Sequence, residues 1–187
     1  MKKIFPIRLA FIVFASISFY SCKYTEKPKN DQEVVKNTIQ NQKNTEVNTI
    51  KTLDFKELEP LLHTKSDTTY VVNFWATWCA PCVKELPFFE TYNQKNKDQK
   101  VKVLLVSLDF AKDIEKRLLP FIEKRNIQSE VVLLDDGDAN SWIDKVDPNW
   151  SGALPFTLVF NSEKRNYFER SFESLEDLEK VIDETIL

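Results

Sequence analysis

The sequence predicts an α/β fold, a central mixed sheet flanked by helices on both faces. Three observations predict it. Apolar runs of strand length alternate with helical patterns from residue 47 to residue 146. Two further runs, Phe156–Phe160 and Arg165–Phe172, are joined by the turn sequence NSEK and read as an antiparallel hairpin. One run, Val101–Leu108 (VKVLLVSL), is almost wholly apolar, as a central strand buried on both faces requires.

In order, Val47–Leu53 suggests a strand. Asp54 can cap a helix whose apolar positions are Phe55, Leu58, Leu61 and Leu62. Tyr70–Trp75 (YVVNFW) is a strand, and a helix then runs from Cys79 to about Lys95, interrupted by Pro87. After the central strand, Ile114–Arg125 is helical, with Pro120 placed to kink or split it. Val131–Leu134 is a short strand, followed by an acidic turn and a short helix around Trp142. Beyond the hairpin, Ser174 with Asp177 resembles a capping box for a last helix ending near Leu187. Glycine is scarce, with only two in 187 residues, so turns rely on Asn, Asp, Ser and Pro.

The N-terminus has a different character. Residues 1–21 carry Lys2, Lys3 and Arg8, no acid, and an apolar run from Leu9 to Tyr20. At about 12 residues that run falls short of the roughly 20 of a membrane helix and suits a signal-peptide core. It ends in FYSC, and bacterial lipoproteins are cut before such a cysteine, which then carries the lipid. Phe19 and Tyr20 are bulkier than the usual residues there. The expectation is a lipoprotein signal peptide over 1–21, lipid on Cys22, a flexible tether over 22–49 and a folded domain over 50–187. Lys23–Thr49 is polar, with one aromatic residue, Tyr24, and a weak amphipathic helix around Glu33–Ile39. As a coil it would span roughly 30 Å.

Removing the three leader bases from the 26 Lys and Arg leaves 23 against 29 acids, a net charge near −6. An acidic chain without a basic cluster argues against nucleic acid as a partner.

The stretch NFWATWCAPCVKELP, Asn73–Pro87, carries two of the three cysteines. Cys79 and Cys82 stand directly after a strand and at the start of a helix, where free backbone N–H groups and the helix dipole stabilise a thiolate. Pro81 lacks an N–H, which costs nothing in a first helical turn. A metal site, a structural disulfide and a reactive thiol all remain open. Zinc is disfavoured because it takes four ligands, and there is no second cysteine pair and only one histidine, His63. A structural bridge is disfavoured because so short a loop restricts the unfolded chain least.

NFWATWCAPCVKELP resembles the active site of the thioredoxin superfamily, and more closely that of the membrane-anchored TlpA/ResA-type thiol-disulfide oxidoreductases. The similarity covers roughly residues 50–187. A second segment, NWSGALPFTLVF (Asn149–Phe160), resembles the part of that branch that carries a cis proline before a strand. The resemblance implies a thioredoxin fold in the bacterial cell envelope, with the domain in the periplasm. It implies that Cys79 attacks a client disulfide and Cys82 resolves the mixed disulfide. No cofactor is implied beyond the redox-active Cys79–Cys82 pair. The implied partners are disulfide-containing client proteins and an upstream thiol electron donor. Leu154–Pro155 would be the cis bond, and Trp78, Pro81, Leu154 and Pro155 would meet the substrate chain.

The sequence departs from the superfamily in two informative places. Thioredoxin itself carries a buried Asp at the position of Asn73, as the TlpA/ResA branch does not, and its partner lysine is replaced here by Leu105. Asn73 cannot titrate, so Glu85, one turn beyond Cys82, is the candidate to take the Cys82 proton. The alternative leaves Glu85 in solvent or capping a neighbouring loop. Ala80 lacks the carboxylate that some relatives carry between the cysteines.

Other residues read more plainly. Trp75 is expected in the core, Thr77 in a structural role and Trp142 in packing, while Trp150 could line the site. Asp136, Asp138, Asn140 and Asp147 are spaced somewhat like a calcium loop, but Ser141 stands where that loop needs glycine. Ala80-Pro81 between the cysteines resembles the reducing members of the superfamily. The alternatives are a thiol oxidant or peroxidase of the same fold, and a non-enzymatic metal-delivery or adaptor module. A peroxidase would favour Thr or Ser three residues before the cysteine, where Ala76 stands, and metal delivery would need a better-placed histidine than His63.

Overall fold

The computed structural model describes residues 49–186. The expected signal segment, the lipidation site Cys22, the tether up to residue 48 and the weak helix around Glu33–Ile39 lie outside the described residues. The elements are β1 (Lys51–Leu53), α1 (Phe55–Leu62), β2 (Thr69–Trp75), α2 (Ala80–Lys95), β3 (Val101–Ser107), α3 (Leu119–Arg125), β4 (Glu130–Leu134), α4 (Ile143–Val146), β5 (Phe156–Phe160), β6 (Arg165–Phe168) and α5 (Leu175–Ile186). The six strands form one sheet in the order β1-β4-β3-β2-β5-β6. β1 to β4 are mutually parallel where they pair, and β5 runs antiparallel to both β2 and β6.

Strand alternation divides the core between the two faces. Val71, Trp75, Val103, Leu105, Leu133 and Val159 point to one side, where Leu86 and Phe89 of α2 and Leu178 and Ile182 of α5 cover them. Val72, Phe74, Leu104, Val106, Val132 and Leu158 point to the other, against Phe55, Leu58 and Leu62 of α1 and the aromatics Trp142 and Trp150. A sheet buried on both faces explains why β3 shows no polar alternation.

The helix ends follow local chemistry. Asp54 caps α1 in a full capping box: its carboxylate accepts the Glu57 N–H at 2.9 Å, and Glu57 accepts the Asp54 N–H at 3.2 Å. Pro87 does not interrupt α2, which runs through it to Lys95. Pro120 does split its helix, since a π-type turn over Ile114–Leu118 precedes α3. α3 ends on Asn126 at φ 51°, a left-handed residue that Asn tolerates.

Two further expectations are corrected. The last strand stops at Phe168 rather than Phe172, because the next residues bond elsewhere. Glu169 accepts the Ser151 N–H, Arg170 forks onto Asp177, and the Phe172 side chain turns into the core. The expected Ser174–Asp177 box is half made. Ser174 accepts the Asp177 N–H at 3.2 Å, but the Asp177 carboxylate turns to Arg170 and the Glu173 N–H instead.

Candidate active site

β2 delivers the cysteine loop to the end of the sheet. Trp75, its last residue, is fully buried, and its carbonyl accepts the Leu108 N–H at 2.8 Å. The chain then turns, with the Cys79 N–H donating to Ala76 O at 3.1 Å. Cys79 is the N-cap of α2 and is disulfide-bonded to Cys82. Its Sγ accepts the Cys82 N–H at 3.3 Å, so a free helix N–H already points at this sulfur. Burial separates the two thiols. Cys79 retains 6% exposure and Cys82 none, so only Cys79 can meet an incoming group.

A surface cavity of about 510 Å³ opens over Cys79, and Trp78, Pro81, Leu108, Ala153 and Leu154 line it. The Leu154–Pro155 bond is cis. Leu154 reaches the cavity, whereas Pro155 is buried. The loop before it is held by Trp150, whose indole N–H donates to Ala153 O at 2.9 Å. Gly152 turns that loop at φ 87°, where a Cβ would meet Ile143 Cδ1 at 3.0 Å. Trp150 is thus not a lining residue. It is 3% exposed and stacks on Phe156 at 4.4 Å. Trp142, 4% exposed, packs beside it, and Trp75 lies in the core as expected.

Behind the cysteines, Glu85 is fully buried, which overturns the solvent-facing alternative, while its bond to the Phe172 N–H makes the other alternative, a cap on a neighbouring loop. Its Oε1 accepts from Asn73 Nδ2 at 3.0 Å, and its Oε2 accepts the Phe172 backbone N–H at 2.8 Å. Asn73 also donates to Thr157 Oγ1 at 3.0 Å, and its own Oδ1 has no partner. Asn73 and Leu105 sit side by side in register on β2 and β3. Burial raises the Glu85 pKa from 4.5 to about 7, against the opposing pull of the Phe172 N–H, the Asn73 amide and the Arg170 charge. A carboxyl so placed can gain and lose a proton near neutrality.

Thr77 is structural through a partner that sequence reasoning missed. Asp109 is 4% exposed, and its carboxylate accepts the Thr77 N–H at 2.9 Å, the Thr77 hydroxyl at 2.5 Å and the Ser107 hydroxyl at 2.8 Å. An Asp directly after a buried central strand was the available signal. His63 is an exposed C-cap of α1. The acidic loop spends its oxygens on the chain itself: Asp136 accepts the Phe55 and Asp138 N–H groups, and Asp147 accepts from Asn149. Among the described residues no three His, Cys, Asp or Glu side chains converge as a metal site.

Residues 36–165 match the AhpC/TSA family. A stretch of 68 residues is 29% identical to sporulation thiol-disulfide oxidoreductase A of Bacillus subtilis, covering 36% of this chain and 41% of that protein. A stretch of 39 residues is 44% identical to the thiol-disulfide oxidoreductase ResA of Oceanobacillus iheyensis, covering 21% of this chain and 20% of that one. The chain therefore spans less than half the length of these relatives. The crystal structure of a DsbF homologue from Corynebacterium diphtheriae aligns with a TM-score of 0.52 at 25% identity, over 64% of this chain and 73% of the other. The sheet order, the cysteine pair capping α2 and the cis proline facing the end of β2 are those of a thioredoxin fold, and the chain belongs to the AhpC/TSA family.

Proposed function

We propose that the protein is a thiol-disulfide oxidoreductase that reduces disulfides in other proteins of the bacterial cell envelope. The observation that carries this reading is the asymmetric pair at the start of α2: Cys79 at the floor of an open apolar cavity, Cys82 fully buried beside it.

In the reduced enzyme the Cys79 thiolate attacks one sulfur of a client disulfide. A Cys79–client disulfide forms, and the client's other cysteine leaves as thiolate. Cys82 then attacks Cys79 Sγ, the Cys79–Cys82 bond forms, and the client's first sulfur departs. Two electrons pass from the enzyme dithiol to the client, and the two protons lost by Cys79 and Cys82 balance the two that the client thiols take up. Glu85, one turn beyond Cys82, takes the Cys82 proton. A dithiol protein upstream returns the enzyme to its reduced form. The Ala80-Pro81 dipeptide supports the reducing direction.

Cys82→Ser tests the exchange. The variant, expressed in its own cell, should accumulate disulfide-linked to clients through Cys79, and Cys79→Ser should accumulate none. No enzyme–client species in Cys82→Ser, or disulfide reduction retained in Cys79→Ser, would overturn the reading. The FYSC sequence supports export and anchoring through lipid on Cys22. Mass spectrometry of the membrane fraction should find a diacylglyceryl-modified Cys22 at the mature N-terminus, and an unmodified soluble chain would overturn that part alone.

A further inference from the structure

Among the described residues two large apolar side chains stand exposed, Trp78 at 56% and Phe110 at 62%. They are neighbours of one hydrogen-bonded junction. Asp109, directly before Phe110, accepts from both the backbone and the hydroxyl of Thr77, directly before Trp78. Leu108, two residues before Phe110, lines the cavity over Cys79 together with Trp78.

The exposure of Phe110 is built in. Asp109 is buried on one side of it, and on the other the Asp113 N–H donates to Phe110 O at 2.8 Å, closing a short 3-10 turn over Ala111–Asp113. Lys112 stands with Nζ 5.3 Å from the ring centroid. The backbone is thus held while the ring stays in water, an arrangement that wastes apolar surface unless a partner covers it.

Position says which partner. The loops that carry Trp78 and Phe110 leave β2 and β3, which are paired neighbours. Adjacent strands lie about 4.8 Å apart, less than two residues of extended peptide. A small disulfide seated over Cys79 would leave Phe110 untouched. A polypeptide extending from the attacked sulfur would cross the rim within its first few residues.

We infer that Phe110 is a specificity-determining residue: with Trp78 it receives a large apolar side chain within about three residues of the client cysteine. The preferred client is then a polypeptide whose disulfide is flanked by such a residue. This inference rests on the proposed exchange at Cys79, and it goes beyond it by naming the chemistry of the client.

The test uses reduced full-length protein and three disulfides. Two are symmetrical peptide dimers, with either Phe or Ser two residues from the single cysteine, and the third is hydroxyethyl disulfide. The wild type should reduce the Phe peptide about tenfold faster than the Ser peptide, the difference expected from one aromatic anchor worth about 1.4 kcal/mol. Phe110→Ser should abolish most of that ratio and leave hydroxyethyl disulfide reduction unchanged. An unchanged ratio, or equal slowing of all three substrates, would overturn the inference. So would sedimentation showing that Phe110→Ser merely dissociates a self-associated chain. A wild type that reduces none of the three, the small disulfide included, would instead overturn the oxidoreductase reading itself.

Discussion

The backbone N–H of Phe172 donates a 2.8 Å hydrogen bond to the buried carboxylate of Glu85, joining the segment before α5 to the helix that carries the cysteines. Phe172 is 1% exposed and packs edge-on against Phe89 and Phe168. An apolar anchor therefore fixes the donor, and the donor fixes the acid. Arg170 stands nearby but is forked onto Asp177, so its charge reaches Glu85 without neutralising it. Glu85 is consequently held in place yet left with a pKa near neutrality.

Glu85 should make stability fall as pH rises. Its folded pKa of about 7 lies above the ordinary 4.5, so the folded chain binds the proton more tightly than the unfolded chain. The associated stability is fully present below about pH 4.5 and is lost as pH rises through about 7. The shift corresponds to about 3 kcal/mol. Glu85→Gln cannot titrate, and the Asn73 amide can turn so that its unpartnered Oδ1 accepts from the new Gln. Urea denaturation at pH 5 and pH 8 should show the wild type losing more stability over that interval than Glu85→Gln. Parallel slopes would place the Glu85 pKa near its ordinary value.

The same substitution separates a proton acceptor from a packing residue. If Glu85 takes the Cys82 proton, Glu85→Gln should slow decay of a preformed Cys79 mixed disulfide at neutral pH by about 10²-fold or more, the usual range for a general base. The pH dependence near 7 should flatten, while the first attack by Cys79 stays within about twofold. Equal slowing of both steps would indicate a structural role.

Arg165 should matter for stability and not for exchange. It donates to Leu62 O at 2.6 Å and Val146 O at 2.9 Å, satisfying carbonyls at the ends of α1 and α4 from the edge strand β6. Its guanidinium also lies 5.2 Å from the Phe160 ring centroid. Arg165→Met leaves both carbonyls without this partner and should cost about 2–3 kcal/mol by denaturant melts. Arg165→Lys can reach one of them and should recover part of the loss. Reduction of a small disulfide should be unchanged in both.

Local signals made much of this legible. The alternation in YVVNFW and VKVLLVSL determines which side chains enter which core, and Asp54 announces α1 by its capping chemistry. The cysteine loop was readable because Cys79, Pro81 and Cys82 do their work within one helical turn. Glu85 was only half readable, since a burial decided 87 residues away by Phe172 leaves no trace near the motif. Asp109 carries a local signal in its place directly after the strand, but its partner Thr77, 32 residues away on the neighbouring strand's loop, is not legible from it. The expected hairpin runs four residues past the ladder because Phe168 and Phe172 are both aromatic, although Glu169, Arg170 and Ser171 lie between them. Arg170 and Glu169 leave the sheet for tertiary partners that no periodicity encodes.

Asn73 offers the sharpest test of the buried acid. Its amide donates to Glu85 and Thr157 from a position on β2 that is fully buried. Asn73→Asp keeps the shape and replaces a neutral donor with a second carboxyl that can donate only while protonated. At low pH one acid can still hydrogen-bond to the other. As pH rises the first proton leaves and the remaining one is shared, so the pair titrates in two coupled steps, the second above the single-site value. Forcing both carboxylates to ionise within hydrogen-bond distance is strongly unfavourable. Stability of Asn73→Asp should therefore fall more steeply than the wild type between pH 5 and pH 8, by more than the about 3 kcal/mol assigned to Glu85 alone. The double variant Asn73→Asp with Glu85→Gln restores a donor–acceptor pair with its polarity reversed, the Gln amide donating to the Asp carboxylate. It should recover most of the loss at pH 8. A single variant with the wild-type slope, or a double variant no more stable than Asn73→Asp, would mean that Asn73 and Glu85 do not share a proton-sensitive contact.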